Sequence, residues 1–307
     1  MTIAQTDAQV RCNKRPFVSR DMQLHMRSRL LLVEGIVFVA CLVAGTSGCG
    51  TEEEFSGSEA SPLTPAGAWL EILTQAERTV VQGAFAKDQT PGYSAERAGE
   101  YCQIRRYVAD CGAPCAWGES CVGGVCTPEP PQRSAGTLAI EGRGTAKSVP
   151  FGPTGYTLVE NDIVWPAETV VTVSAPGGEI GGFSAVVKAV APFAELQPTT
   201  PQLVGGRPMR WSWSNPDPSA RIRVTLVTER EHGQPPPVIV DCDIADTGTI
   251  EVPAEAVTAI VDPDNWGCGR CNSSSLRRYT HQQVEVEGLG NVEVRAASEE
   301  IFVARGR

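Results

Sequence analysis

The segment Arg221-Ile222-Arg223-Val224-Thr225-Leu226 alternates a charged or polar side chain with an aliphatic one along its whole length. A period of two puts the aliphatic set on one side of an extended chain and the polar set on the other, as in a strand with one buried face. The pattern recurs on both sides of it. Met209, Trp211 and Trp213 alternate with Arg210 and Ser212, and Val238, Val240 and Cys242 keep the spacing, as do Val284 with Val286 and Val292 with Val294. Turn-forming clusters punctuate the runs at Asn161-Asp162, Pro176-Gly177-Gly178, Asn215 to Pro218, Asp246 to Gly248 and Leu289 to Asn291. Residues 137–307 are therefore expected to form an antiparallel, immunoglobulin-like β-sandwich of roughly eight to ten short strands. Only Pro253 to Ile260 reads as a short helix there.

Upstream the pattern changes. Trp69, Ile72, Leu73, Ala76, Val80, Val81 and Ala84 fall on one helical stripe, with Glu71, Gln75, Glu77 and Arg78 off it. Ser94 can cap a second helix carrying Ala98, Tyr101, Cys102 and Val108. The expectation over 67–126 is a helical hairpin running into a cysteine-rich knot, so the mostly β chain is preceded by a short α-helical, disulfide-rich segment. Thr127-Pro128-Glu129-Pro130-Pro131 then reads as a semi-rigid polyproline spacer, placing a linker at 127–136.

The cysteines are the strongest chemical signal. Cys102, Cys111, Cys115, Cys121 and Cys126 form one cluster, and Cys242, Cys268 and Cys271 another. In an oxidising compartment such density replaces a hydrophobic core with covalent bonds. Both clusters are odd in number. If every thiol is paired, at least one disulfide joins the two, with Cys242 expected to take Cys268 or Cys271 and the other to reach the knot. Zinc is the competing use of these side chains, in the knot or at Cys242, Cys268, Cys271 and His281. Cys268-Gly269-Arg270-Cys271 lies in a Gly/Asn/Ser-rich loop rather than at a helix N-terminus, so a structural bond is favoured over redox chemistry.

Compartment follows from Arg27-Ser28-Arg29, the short apolar run from Leu30 to Gly45 and Thr46-Ser47-Gly48-Cys49. This stretch resembles a lipoprotein export signal, which implies cleavage before Cys49 and a lipid on its thiol. Residues 1–48 would be the leader, with Met22 or Met26 as the natural start and the polar stretch before them a misassigned one. Residues 49–66, rich in Ser, Pro and Gly with Glu52 to Glu54, would be a flexible tether. Up to Gly48 there are six basic and three acidic residues, so the remainder holds 20 Lys and Arg against 33 Asp and Glu. So acidic a chain lacks the footprint for nucleic acid, and none is expected as a partner.

Catalytic signatures are few. His232 and His281 are the two histidines after the leader, and no Gly-x-Ser-x-Gly elbow, His-Glu-x-x-His pair or phosphate-binding glycine loop occurs. Asp241, Asp243 and Asp246 cluster near a turn without EF-hand spacing, which favours a solvated strand end over calcium. Trp211 and Trp213 belong to the alternating core face, with a sugar-stacking platform as the competing reading, and Trp117 is the better exposed contact residue. The lipobox-like leader, the Cys121-Val122-Gly123-Gly124-Val125-Cys126 knot (similar to small EGF-like modules), the proline spacer and the β domain together resemble surface lipoproteins of myxobacteria. That resemblance implies outer-membrane placement and no particular activity. The expected function is a non-catalytic envelope lipoprotein held to the membrane by lipidated Cys49, without cofactor or metal. Its sandwich-end loops would bind a protein or a glycan; a cell-envelope hydrolase is the alternative.

Overall fold

The computed structural model describes residues 67–86, 92–108, 111–112, 115–116, 118–122, 124–228, 236–262, 274–302 and 305–306, within a compact unit that begins at Glu53. The hairpins β1 (Ala68–Gln75) with β2 (Arg78–Phe85), β3 (Tyr93–Ala98) with β4 (Cys102–Tyr107) and β5 (Glu119–Val122) with β6 (Val125–Pro128) come first. Next are β7 (Leu138–Gly142), β8 (Thr145–Val149), β9 (Phe151–Gly152), β10 (Gly155–Glu160), β11 (Val170–Ala175) and β12 (Phe183–Lys188). The strands β13 (Gln202–Leu203), β14 (Met209–Ser212), β15 (Arg221–Val227), β16 (Val238–Ala245) and β17 (Thr249–Val252) lead to helix α1 (Ala254–Val261). The last elements are β18 (Ser274–Val286), β19 (Gly290–Phe302) and β20 (Arg305–Gly306).

The protein is mostly β, in a sandwich-like arrangement. Ten strands form one sheet in the order β3-β4-β16-β15-β18-β19-β1-β2-β10-β9, and four form another in the order β12-β11-β7-β8. Within the large sheet β1 and β19 run parallel, and every other neighbouring pair is antiparallel. One face of the large sheet carries two apolar cores. Leu70, Ile72, Phe85, Val292 and Val294 meet Leu138, Ile140, Val171 and Val187 of the four-stranded sheet. Ile222, Val224, Leu226, Val240 and Leu276 meet Val257 and Ile260 of α1 and Trp211 and Ile250 of the β14–β17 ribbon.

The upstream helices are not formed; their residues are strands. β1 and β2 lie well inside the sheet, so Leu70 and Ile72 are buried under the four-stranded sheet, and on the other face Glu71 and Leu73 are buried among side chains of the neighbouring strands. A strand buried on both faces loses the two-residue alternation, and here the mixture happened to fit a helical period. For β3 and β4 the missed signal is Gly99, whose φ of 65° suits a tight turn and not a helix interior.

The boundary placed at 127–136 does not divide the structure. β1 and β2 are central strands of the same sheet as β15 to β19. The spacer itself is packed down: Arg133 N–H donates to Phe85 O at 2.8 Å, and the guanidinium of Arg133 donates to Gly288 O and Glu179 O. Ala135 is buried and its N–H donates to the Tyr156 hydroxyl at 2.8 Å. Hydrogen bonds of this kind hold the segment against the sheet, so it does not act as a spacer.

The edge strand β12 is covered in an unusual way. Its Val186 and Lys188 N–H groups donate to Gln282 Oε1 (2.5 Å) and Thr280 Oγ1 (3.1 Å) of β18, and Thr280 donates back to Lys188 O. Side chains of one sheet thus occupy the open ladder positions of the other, which suppresses pairing with foreign strands.

Candidate functional site

The second face of the large sheet turns away from both large cores. Register places Arg105, Asp241, Thr225, Arg223, Arg277 and Glu299 on it, together with Asp243, Arg221, Tyr279, His281, Arg295 and Glu71. Each charge sits directly opposite or diagonal to another across neighbouring strands, the spacing at which cross-strand pairs interact. Asp243, fully buried, accepts from Arg221 Nε at 2.8 Å, from Arg223 Nε at 3.1 Å and from the Tyr279 hydroxyl. Arg105 and Thr225 donate to Asp241. Arg277 Nε meets Glu299 at 2.6 Å and its Nη1 meets Glu71 at 3.3 Å. Glu293 takes His281 Nδ1 at 3.0 Å and Arg295.

The electrostatics follow from burial and these partners. Burial opposes charge on Glu293, but the hydrogen bonds from His281 and Arg295 outweigh it and hold the carboxyl at about 2. Burial, with the Asp243 carboxylate beside it, pushes the Tyr279 hydroxyl well above the usual phenol range. Desolvation works against the Arg277 charge too, and Glu71 and Glu299 more than restore it. A small apolar island of Leu73, Val80, Tyr279 and Ala297 sits in the middle of this face. Arg223 and Arg295 lie over the Tyr279 ring, 5.6 Å and 5.8 Å from its centroid, and their stems cover it.

Beside this network runs a groove of about 520 Å³ that crosses β10, β2, β1, β19, β18 and β15. Leu73 and Val80 form its floor, the exposed Val159 and Ile301 lie along it, and Arg78, Gln82, Thr225, Ser275 and Arg277 supply its polar rim. A second hollow of similar volume continues it past the β1–β2 turn, sharing Gln75, Arg78, Glu299 and Ile301.

The residues singled out from sequence are distributed differently. Among the described residues three disulfides are formed, Cys111–Cys121, Cys115–Cys126 and Cys102–Cys242. The last is the expected bond between the clusters, but Cys242 reaches Cys102 itself and not Cys268 or Cys271. Hydrogen bonds from Tyr107 N to Pro237 O and from Asp243 N to Tyr101 O put Cys102 and Cys242 at a non-hydrogen-bonded pair, where antiparallel strands approach most closely. The sulfur atoms of Cys111, Cys115 and Cys121 lie within 4.8 Å of one another, yet all belong to disulfides, which removes the thiolates zinc requires. The zinc set built on Cys242 and His281 loses Cys242 to its bond with Cys102, and its other two cysteines lie outside the described residues.

Asp241, Asp243 and Asp246 are not a solvated strand end, because arginines enclose them. Asp246 accepts from Arg278 Nε at 2.7 Å, Trp213 Nε1 at 2.8 Å and the Asp217 and Gly248 N–H groups. Every oxygen of the three carboxylates has a donor, so they balance protein cations. Trp211 and Trp213 are core residues packed against Phe302 and Phe193. Cys49, Trp117, His232, Cys268 and Cys271 lie outside the described residues. The charged face escaped sequence reading because Glu71 sat on an assumed helix; the odd-numbered run Arg277, Tyr279, His281 was the available signal.

No family model and no curated protein matches the chain. Among solved structures it is similar to the FN1–FN3 domains of chicken CNTN1, at 11% identity over 73% of this chain and 71% of that one, with a TM-score of 0.18.

Proposed function

We propose that the chain is a cell-envelope lipoprotein, anchored through Cys49, whose β unit is a non-catalytic binding module using the groove on its open sheet face. The groove itself carries this reading: it pairs an apolar floor with a polar rim and crosses six strands, a shape for holding an extended molecule. The disulfides support an oxidising location. Hydrolysis would need a nucleophile within reach of a base. Among the described residues, no hydroxyl or thiol is hydrogen-bonded to His281, whose Nδ1 faces Glu293.

Val159 and Ile301 are exposed, so Val159→Glu with Ile301→Glu alters the groove and spares the core. Detergent-solubilised wild-type chain should co-sediment with purified envelope polysaccharide or envelope protein, and the double variant should lose this. Equal sedimentation of both would remove the groove from the reading. Turnover of ester, peptide or glycan substrates that is abolished by His281→Ala would replace the binder with the hydrolase.

A further inference from the structure

We infer that the ligand of this face is an anionic polysaccharide, read by a layer of guanidinium groups standing above their own buried carboxylates. This rests on the binding reading above and specifies its ligand. In each ion pair of the face the arginine is the more exposed member. Arg277 is 30% exposed where Glu71 and Glu299 are 7% and 4%; Arg221 and Arg223 are 27% and 16% exposed over Asp243 at 0%. The order is the same for Arg105 over Asp241 and Arg295 over Glu293. Away from the face the order is mixed: it reverses at Lys188–Glu168 and Arg106–Glu96 and holds at Arg210–Glu251 and Lys188–Asp217. An arriving molecule therefore meets cations first, on a chain whose net charge is −10.

Arg78 extends the layer to β2, where among the described residues it hydrogen-bonds the neutral Gln75 and no carboxylate. Cations stand on β4, β15, β18, β19 and β2, at Arg105, Arg221 and Arg223, Arg277, Arg295 and Arg78, which suits a long ligand bearing several acid groups. Guanidinium forks match carboxylate and sulfate groups two hydrogen bonds at a time. Gln82, Thr225 and Ser275 between them offer both donors and acceptors to sugar hydroxyls. An acidic peptide fits less well: backbone groups of the sheet are spent in its ladders, so a peptide lying on this face would leave its own N–H and C=O groups without partners.

The test is binding of the detergent-solubilised full chain to polygalacturonate, neutral dextran and poly-L-glutamate, by calorimetry at low and high salt. Arg78→Gln with Arg221→Gln is the informative variant. Among the described residues Arg78 has no acidic partner to strand, whereas Asp243 keeps Arg223 and Tyr279 on Oδ2 and loses the Arg221 donor on Oδ1. Polygalacturonate should bind, weaken as salt screens it, and bind the double variant about tenfold or more weakly, with Arg78→Gln alone, which strands no carboxylate, weakening it in the same direction at an unchanged melting temperature. Dextran bound as tightly would overturn the anionic assignment and leave the binding module standing. Poly-L-glutamate bound as tightly would show that charge alone is read and overturn the polysaccharide. Binding of none of the three, by a protein that still sediments with envelope material through Val159 and Ile301, would overturn this inference and not the groove.

Discussion

Glu293 shows how a single side chain on the charged face couples the fold to pH. Its folded value of about 2 lies below the ordinary 4.5. Its contribution to stability is therefore complete above about pH 4.5 and lost as pH falls toward 2. Two and a half units amount to something on the order of 3 kcal/mol. The Glu293→Gln variant should be less stable than wild type at pH 7 and should lose less on acidification. Urea unfolding midpoints between pH 7 and pH 2 would show the two curves converging; parallel curves would mean that Glu293 is not the group that titrates. Arg278 plays a different part. It is wholly buried and donates to Asp246, Ala191 O, Pro192 O and Asn215 O, so one cation pins the chain between β12 and β15.

At the scale of elements, the bond between Cys102 and Cys242 fastens the β3–β4 hairpin, at the edge of the large sheet, to β16. It closes a loop of 140 residues, which the chain-entropy account values at roughly 4–5 kcal/mol, although measured cases are often smaller. Cys102→Ala with Cys242→Ala should lower the unfolding free energy by up to that amount and speed hydrogen exchange in β3 and β4 before β18 and β19. Uniform acceleration across the sheet would show that the bond does not act locally. Strands such as β15 and β16 were legible in sequence because one face is apolar and the other is not. The helix over Pro253–Ile260 was legible to within a residue, being observed at Ala254–Val261. β1 was not, since Glu71 is buried by Arg277, a residue more than 200 positions away. The candidate face was hidden for the same reason. Arg221, Arg223 and Asp243 each look solvated alone, and only strand order makes them neighbours.

For the molecule as a whole, the acidic balance and the cationic face are consistent once the buried carboxylates are recognised as the arginines' partners. The proposed membrane attachment would rest on Cys49. Cells fed a palmitate analogue should label the wild-type chain, and Cys49→Ala should shift it to the soluble fraction; a variant that stays in the membrane would need another anchor. The parallel pairing of β1 with β19 bears on how such a chain acquires its shape. Alanine 68 meets Val292 and Thr74 meets Ser298, so the middle of the ten-stranded sheet joins two stretches more than 200 residues apart. Contacts of such long range are slow to form. During synthesis the early strands must wait, with one edge unpaired, until nearly the whole sequence exists. A chain that cannot close early stays threadable, and on the proposed export route that delay would hold off folding until the chain has crossed.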